Sequence, residues 1–221
     1  KKDVEGRKLA TLADDEVLGL IATHIGVYRV PDDECVPKLL ARLAQQYPKT
    51  PEAEQATLQL GWFHQSREQY PRALDVYRRL LASHPGGAGA SSAQSAIETI
   101  EAKEAGFVES GVQAAGKKAV VKVRTRNVDG LQLRATRVDV EGALARFQRA
   151  WREGGGRDQD GYRYSPDSVT YLMLQDQDAG KKLRTNDVVT ITTPITRDAA
   201  HLYADQQVET TLDRPGLWLL E

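Results

Sequence analysis

The side chains that usually ligate metals or attack carbonyl carbons are few in this chain and poorly spaced for either task. His24, His64, His84 and His201 stand far apart, with no His-Glu-x-x-His and no paired cysteines, so a metal site is not expected. Cys35, the one cysteine, cannot form an internal disulfide; it reads as a half-buried apolar residue near a helix start rather than a reactive thiol. Ser110, Ser165 and Ser168 have no nucleophile elbow or oxyanion loop around them. Asp158, Asp160, Asp176 and Asp178 lack the ligand ladder of a calcium loop and read as polar turns. Pro85-Gly86-Gly87-Ala88-Gly89-Ala90 opens a helix as phosphate loops do, yet no strand precedes it and no Gly-Lys-Ser/Thr closes it, so it reads as a flexible inter-helix connection. No catalytic residue, metal or cofactor is expected, and the chain reads as a non-enzyme.

Charge sets further limits. Thirty basic and 31 acidic residues in 221 leave a net charge of −1, which exerts no global pull toward nucleic acid or an acidic membrane. Lys117, Lys118, Lys122, Arg124, Arg126 and Arg134 read as a solvated strand face in preference to a polyanion site. No apolar run is long enough to span a bilayer, and Lys1-Lys2-Asp3-Val4-Glu5 has no apolar signal core, as expected of a cytoplasmic protein or a mature or shortened chain.

The elements that would position any site change character midway. From Pro51 to Pro85, Ala73, Leu74, Tyr77, Leu80 and Leu81 recur at three- and four-residue steps opposite Arg72, Asp75, Arg78 and Arg79, which predicts an amphipathic helix. Gly61 and Ala73 lack the bulk that holds two antiparallel helices apart, and Tyr47-Pro48 and His84-Pro85 supply helix stops. Val36, Leu39, Leu40, Leu43 and Ala44 predict another helix. The spacing of Val17, Leu18, Ile21, Ile25 and Val27 predicts one over about Asp14 to Tyr28, and Ala93, Ala96, Ile97 and Ile100 place one over Ser91 to Lys103. About five helices are expected up to Lys103, with no strand before Ala90.

These residues resemble a tetratricopeptide unit, a helix-turn-helix of ~34 residues. Leu60-Gly61 fills the family's Leu-Gly slot, and Tyr70, Ala73, Tyr77 and Pro85 fall at its later signature positions; Thr57, His64 and Leu80 depart from it. The resemblance implies a concave groove lined by Gln55, Leu58, Trp62, Gln65 and Ser66. Trp62 is either an exposed hot spot there or is packed against a neighbouring helix or the following domain.

After about Ala105 the period becomes two. Val121, Val123 and Thr125 alternate with Lys122, Arg124 and Arg126, and Asn127-Val128-Asp129-Gly130 turns into Leu131, Leu133 and Ala135 on one face. Val169, Tyr171 and Met173, then Val189 and Ile191, alternate again, and Leu217 to Leu220 closes the chain as a strand. Several short strands predict an antiparallel β-sandwich. Val140, Leu144, Phe147 and Trp151 predict one inserted helix packed on the sheet, stopped by Gly154-Gly155-Gly156, with a loop over Arg157 to Pro166. Two domains follow: a tetratricopeptide-like helical domain over 1–104 and a β-domain over 105–221.

Val123 to Leu131, Arg137-Val138-Asp139-Val140-Glu141 with its helix, and Pro215 to Glu221 resemble the first macroglobulin-like domain of bacterial alpha-2-macroglobulins. The resemblance implies the scaffold end of a large endopeptidase inhibitor of the bacterial periplasm or cell envelope. Its partners would be proteins, including other domains of the same chain, with no nucleic acid and no membrane insertion. Cys35-Val36-Pro37-Lys38 is not the family's thioester motif, and no bait segment is identifiable, so this stretch would not trap a protease covalently. The alternative is a free-standing, cytoplasmic tetratricopeptide adaptor that binds a peptide or protein in its groove. Leu217 to Glu221 reads as a strand running to the last residue, which leads us to expect a piece of a longer chain and favours the first reading.

Overall fold

A computed structural model describes residues 9–21, 23–108, 113–114, 116–153 and 183–221. The protein has a mixed helix and sheet fold with antiparallel strands. It divides into two compact units. The first comprises residues 1–105 together with 125–128 and 197–204; the second comprises 106–124, 129–196 and 205–221.

The first unit opens with a short 3-10 turn, Leu9–Thr11, and then departs from expectation. Where a helix over Asp14 to Tyr28 was predicted, β1 (Glu16–Ile21) pairs antiparallel with β2 (His24–Arg29), so a strand does precede Ala90. The composition explains the reversal. Val17, Ile25, Val27 and Tyr28 favour strands, while Gly19 and Gly26 each weaken a helix by about 1 kcal/mol. Those glycines lie opposite each other, and the Tyr28 ring covers both. Leu18, Leu20 and Ile25 remain exposed, Leu20 at 69%.

Four helices follow: α1 (Val36–Gln46), α2 (Pro51–Ser66), α3 (Tyr70–Ser83) and α4 (Ala90–Glu101). Thr50 caps α2 by accepting from the Ala53 amide at 3.2 Å, and Pro51 stands in the first turn, where its missing N–H is no loss. Buried Leu58, Ala73, Leu74, Tyr77, Leu80, Ala93, Ala96, Ile97 and Ile100 form one core from α2, α3 and α4. Gly61 makes room for the Tyr77 ring: a Cβ there would lie 2.2 Å from Tyr77 Cε1. Cys35 is buried at the start of α1. On α1 itself, Val36 and Leu39 of the predicted apolar stripe are exposed.

Among the described residues the remaining strands are β3 (Glu104–Phe107), β4 (Val120–Arg126), β5 (Gly130–Val138), β6 (Arg184–Pro194), β7 (Ala204–Glu209) and β8 (Trp218–Leu220). They make two three-stranded sheets, ordered β3-β4-β7 and β6-β5-β8. In the second unit, Val121, Val123 and Val208 share a core with Leu133 and Ile191 of the other sheet. The predicted inward faces, Val121 with Val123 and Leu133 with Ala135, are buried as alternation requires.

The inserted helix is α5 (Val140–Glu153); of the four residues predicted to pack inward, the side chains of Phe147 and Trp151 lie outside the described ones. Val140 and Leu144 are exposed, and Ala143 instead packs with Val138, Leu183 and Leu219. Asp139 caps α5 through the Gly142 amide at 3.0 Å, which sets the phase of the helix and turns Ala143 inward. The predicted strand at Val169, Tyr171 and Met173, the Gly154 to Gly156 stop, the loop to Pro166, the four aspartates and the three serines lie outside the described residues.

Candidate interaction surface

Helix α2 places the five residues of the predicted groove in three different environments. Gln55 and Ser66 are exposed, and Trp62 is 46% exposed. Leu58 corrects the expectation: it is 4% exposed and belongs to the core with α3 and α4, because it stands on the flank where Ala53, Gly61 and His64 are also buried. Gln65 is half-buried, and its Oε1 accepts from the Tyr77 hydroxyl at 2.7 Å. Burial pushes the Tyr77 phenol well above its ordinary pKa, so it stays a donor.

The outward stripe is therefore Gln55, Gln59, Trp62 and Ser66, at steps of four, three and four. Gln59 escaped the sequence reading because the groove was placed by resemblance; the same helical spacing, started from Gln55, identifies it. Between α1 and α2 runs a cleft of about 500 Å³ lined by Leu40, Leu43, Pro51, Gln55, Gln59 and Gly89. Its lining also includes Glu52 and Glu54, so an apolar floor is flanked by amide and carboxylate groups that can accept hydrogen bonds.

His64, which stands where the repeat pattern has an aromatic, is buried. Its Nδ1 lies 2.8 Å from Gln69 Oε1, and Gln69 Nε2 donates to the Leu12 carbonyl at 2.7 Å. Arg67 donates to the Ala13 carbonyl at 2.9 Å, and Arg72 pairs with Asp14 at 2.7 Å. The turn between α2 and α3 is thus tied to residues 12–14.

The glycine-rich stretch before α4 does hold an anion, and the anion is the protein's own. The Gly89 amide donates to Glu54 Oε1 at 2.6 Å, and a Cβ on Gly87 would lie 2.3 Å from the same oxygen. Glu54 is buried on α2 and accepts from the amide of Gly89, the N-cap of α4 and one of the donors at a helix start that the helix itself leaves unsatisfied.

The other end of α4 is also satisfied from elsewhere in its unit. Asn127, 3% exposed and in the left-handed region, donates Nδ2 to the carbonyls of Ile100 at 2.7 Å and Ala102 at 2.9 Å. Arg126 donates to the Thr99 carbonyl at 2.7 Å, pairs with Glu104 and lies over the Tyr203 ring at 4.7 Å. Alternation along β4 placed Arg126 on a solvated face; it is 6% exposed instead, because residues 125–128 belong to the helical unit and a cation there meets the negative end of the α4 dipole. Arg124, on that same predicted face, forms two bonds to the Asp205 carboxylate at 2.6 and 2.9 Å.

Among the described residues no three His, Cys, Asp or Glu side chains converge as metal ligands, and no helix is long and apolar enough to cross a membrane. No protein-family model, curated protein or solved structure matches the chain.

Proposed function

We propose that this chain is a non-catalytic scaffold and interaction segment in which a tetratricopeptide-like helical array precedes a macroglobulin-like β-domain, as part of a bacterial alpha-2-macroglobulin-type endopeptidase inhibitor of the periplasm or cell envelope. The observation that carries the interaction role is the outward stripe of α2. On α2, where Ala53, Glu54, Ala56, Leu58, Gly61 and His64 are buried, Trp62 is 46% exposed between the outward-facing Gln59 and Ser66, and Gln59 borders the cleft between α1 and α2. Large rigid aromatics in such settings dominate the energies of protein interfaces. The repeat reading is supported by Tyr77 seated on Gly61, since the two signature positions act as one close-packing device. The hairpin β1–β2 stands where a further repeat helix would be, so the array is shorter than the sequence pattern implies. The inhibitor reading draws on the residues around Val123 to Leu131 and on the closing strand; the missing thioester pair is a departure from that family and confines this stretch to a scaffold role.

The test is capture from envelope extract by the parent chain and by Trp62→Ala. The variant should fold with an unchanged melt and weaken capture by more than ~1 kcal/mol, about fivefold. Equal capture by both removes the groove, and stoichiometric inhibition of any protease by this chain alone overturns the scaffold reading.

A further inference from the structure

The charge of Glu54 is only partly answered within the protein. The residue is 8% exposed, and its Oε1 accepts from the Gly89 amide at 2.6 Å. Its place in the first turn of α2, and the start of α4 beside it, add the partial positive charge of helix N-termini, roughly half a unit each. Among the described residues Oε2 accepts no hydrogen bond, and no Lys, Arg or His side chain pairs with either oxygen. A carboxylate removed from water is costly to leave without a cation.

This same residue lines the cleft between α1 and α2. Leu40 and Leu43 are half-buried there, while Glu52, Gln55 and Gln59 of α2 are exposed along its side. Among the described residues that line it there is no Lys, Arg or His. At about 500 Å³ the cleft falls within the size range of ligand sites, so its sign of charge decides what enters.

We infer that the cleft takes a basic side chain, lysine or arginine, from an extended peptide. The cation pairs with the Glu54 carboxylate, its methylene stem lies on Leu40 and Leu43, and the amides of Gln55 and Gln59 bond the peptide backbone on either side. This deepens the reading of α2 as an interaction surface and rests on it. Charge complementarity selects the occupant. An acidic peptide would set like charges together, and a wholly apolar one would cover Glu54 and leave it unpaired. Glu52, exposed, draws the cation in and adds little to its retention.

The probe is a set of acetylated, amidated heptapeptide pools with alanine and leucine randomised at the flanks and the central residue fixed as lysine, norleucine or glutamate. Each pool is titrated into the isotope-labelled chain and followed by NMR at the Gly89 amide and the side-chain amides of Gln55 and Gln59. The lysine pool should bind at least ~5-fold tighter than the norleucine pool, and the glutamate pool most weakly. Glu54→Gln keeps an acceptor for the Gly89 amide but loses the charge, and should bring lysine and norleucine within ~2-fold of each other. Should that variant fold poorly, the parent decides: the side-chain carboxyl carbon of Glu54 must shift with the lysine pool and not with norleucine, and equal shifts overturn the proposal. A lysine preference that survives Glu54→Gln puts the cation elsewhere and overturns it too. Norleucine binding as tightly as lysine removes the cation site and leaves the interaction surface standing, whereas no binding by any pool removes both.

Discussion

Glu54 shows how much one side chain can do when a backbone leaves room for it. Its carboxylate enters the space left by Gly87 and takes the Gly89 amide, so that a residue of α2 caps α4. Glu54→Ala is expected to lower stability by about 0.5 to 2 kcal/mol, the usual value of a helix cap, and Gly87→Ala should cost a similar amount by displacing the same carboxylate. Urea denaturation checks both, and the double variant should lose less than the two costs added, since each removes one interaction. The glycine run announced a helix start to any sequence reader. Its anion was hidden because Glu54 lies 35 positions upstream, and periodicity along a chain carries no information about contacts at that distance. Asn127 and Arg126 were hidden for the same reason. Asn-Val-Asp-Gly reads correctly as a turn, but nothing in that tetrapeptide says that its first side chain ends a helix.

At the scale of elements, the prediction falls on Gly61. Alanine favours a helix interior over glycine by about 1 kcal/mol, so an exposed glycine replaced there would stabilise. Here the new Cβ would stand 2.2 Å from the buried Tyr77 ring, and the overpacking of about 1 to 3 kcal/mol should win. A thermal melt of Gly61→Ala above that of the parent would show that the ring moves aside at little cost. The helices α3 and α4 could be read beforehand because their apolar residues repeat at helical steps, and α2 through the resemblance to a tetratricopeptide unit. The hairpin β1–β2 could not, because Val17, Leu18, Ile21 and Ile25 satisfy a helical template as well as a two-residue one; the paired glycines under Tyr28 decide between them only when both strands are in view. In α5 the spacing marked the right residues as apolar, but Asp139 sets the phase and leaves Val140 and Leu144 in water.

For the molecule as a whole, the shift from helical to alternating periods locates a boundary near Ala105, yet the helical unit reclaims 125–128 and 197–204 from beyond it. A chain ended at Ala105 would keep α2 and α3 packed while the carbonyls of Thr99, Ile100 and Ala102 lost the three side-chain bonds they accept. At the usual net contribution of each bond, the last turn of α4 should weaken by roughly 2 to 4 kcal/mol. Exchange of the amides of Ile97 to Glu101 measures this, and equal protection in the shortened and full chains would mean that water serves the carbonyls as well as Asn127 does. The discontinuity also bears on time. As the chain leaves a ribosome, α4 emerges first, Asn127 arrives 27 residues after Ile100, and His201 74 residues after Asn127. Contacts of such separation pay loop-closure entropy before they return anything and therefore form late. The final turn of α4 must then stay frayed until Asn127 follows it, and Asn127 itself waits for its bond to His201.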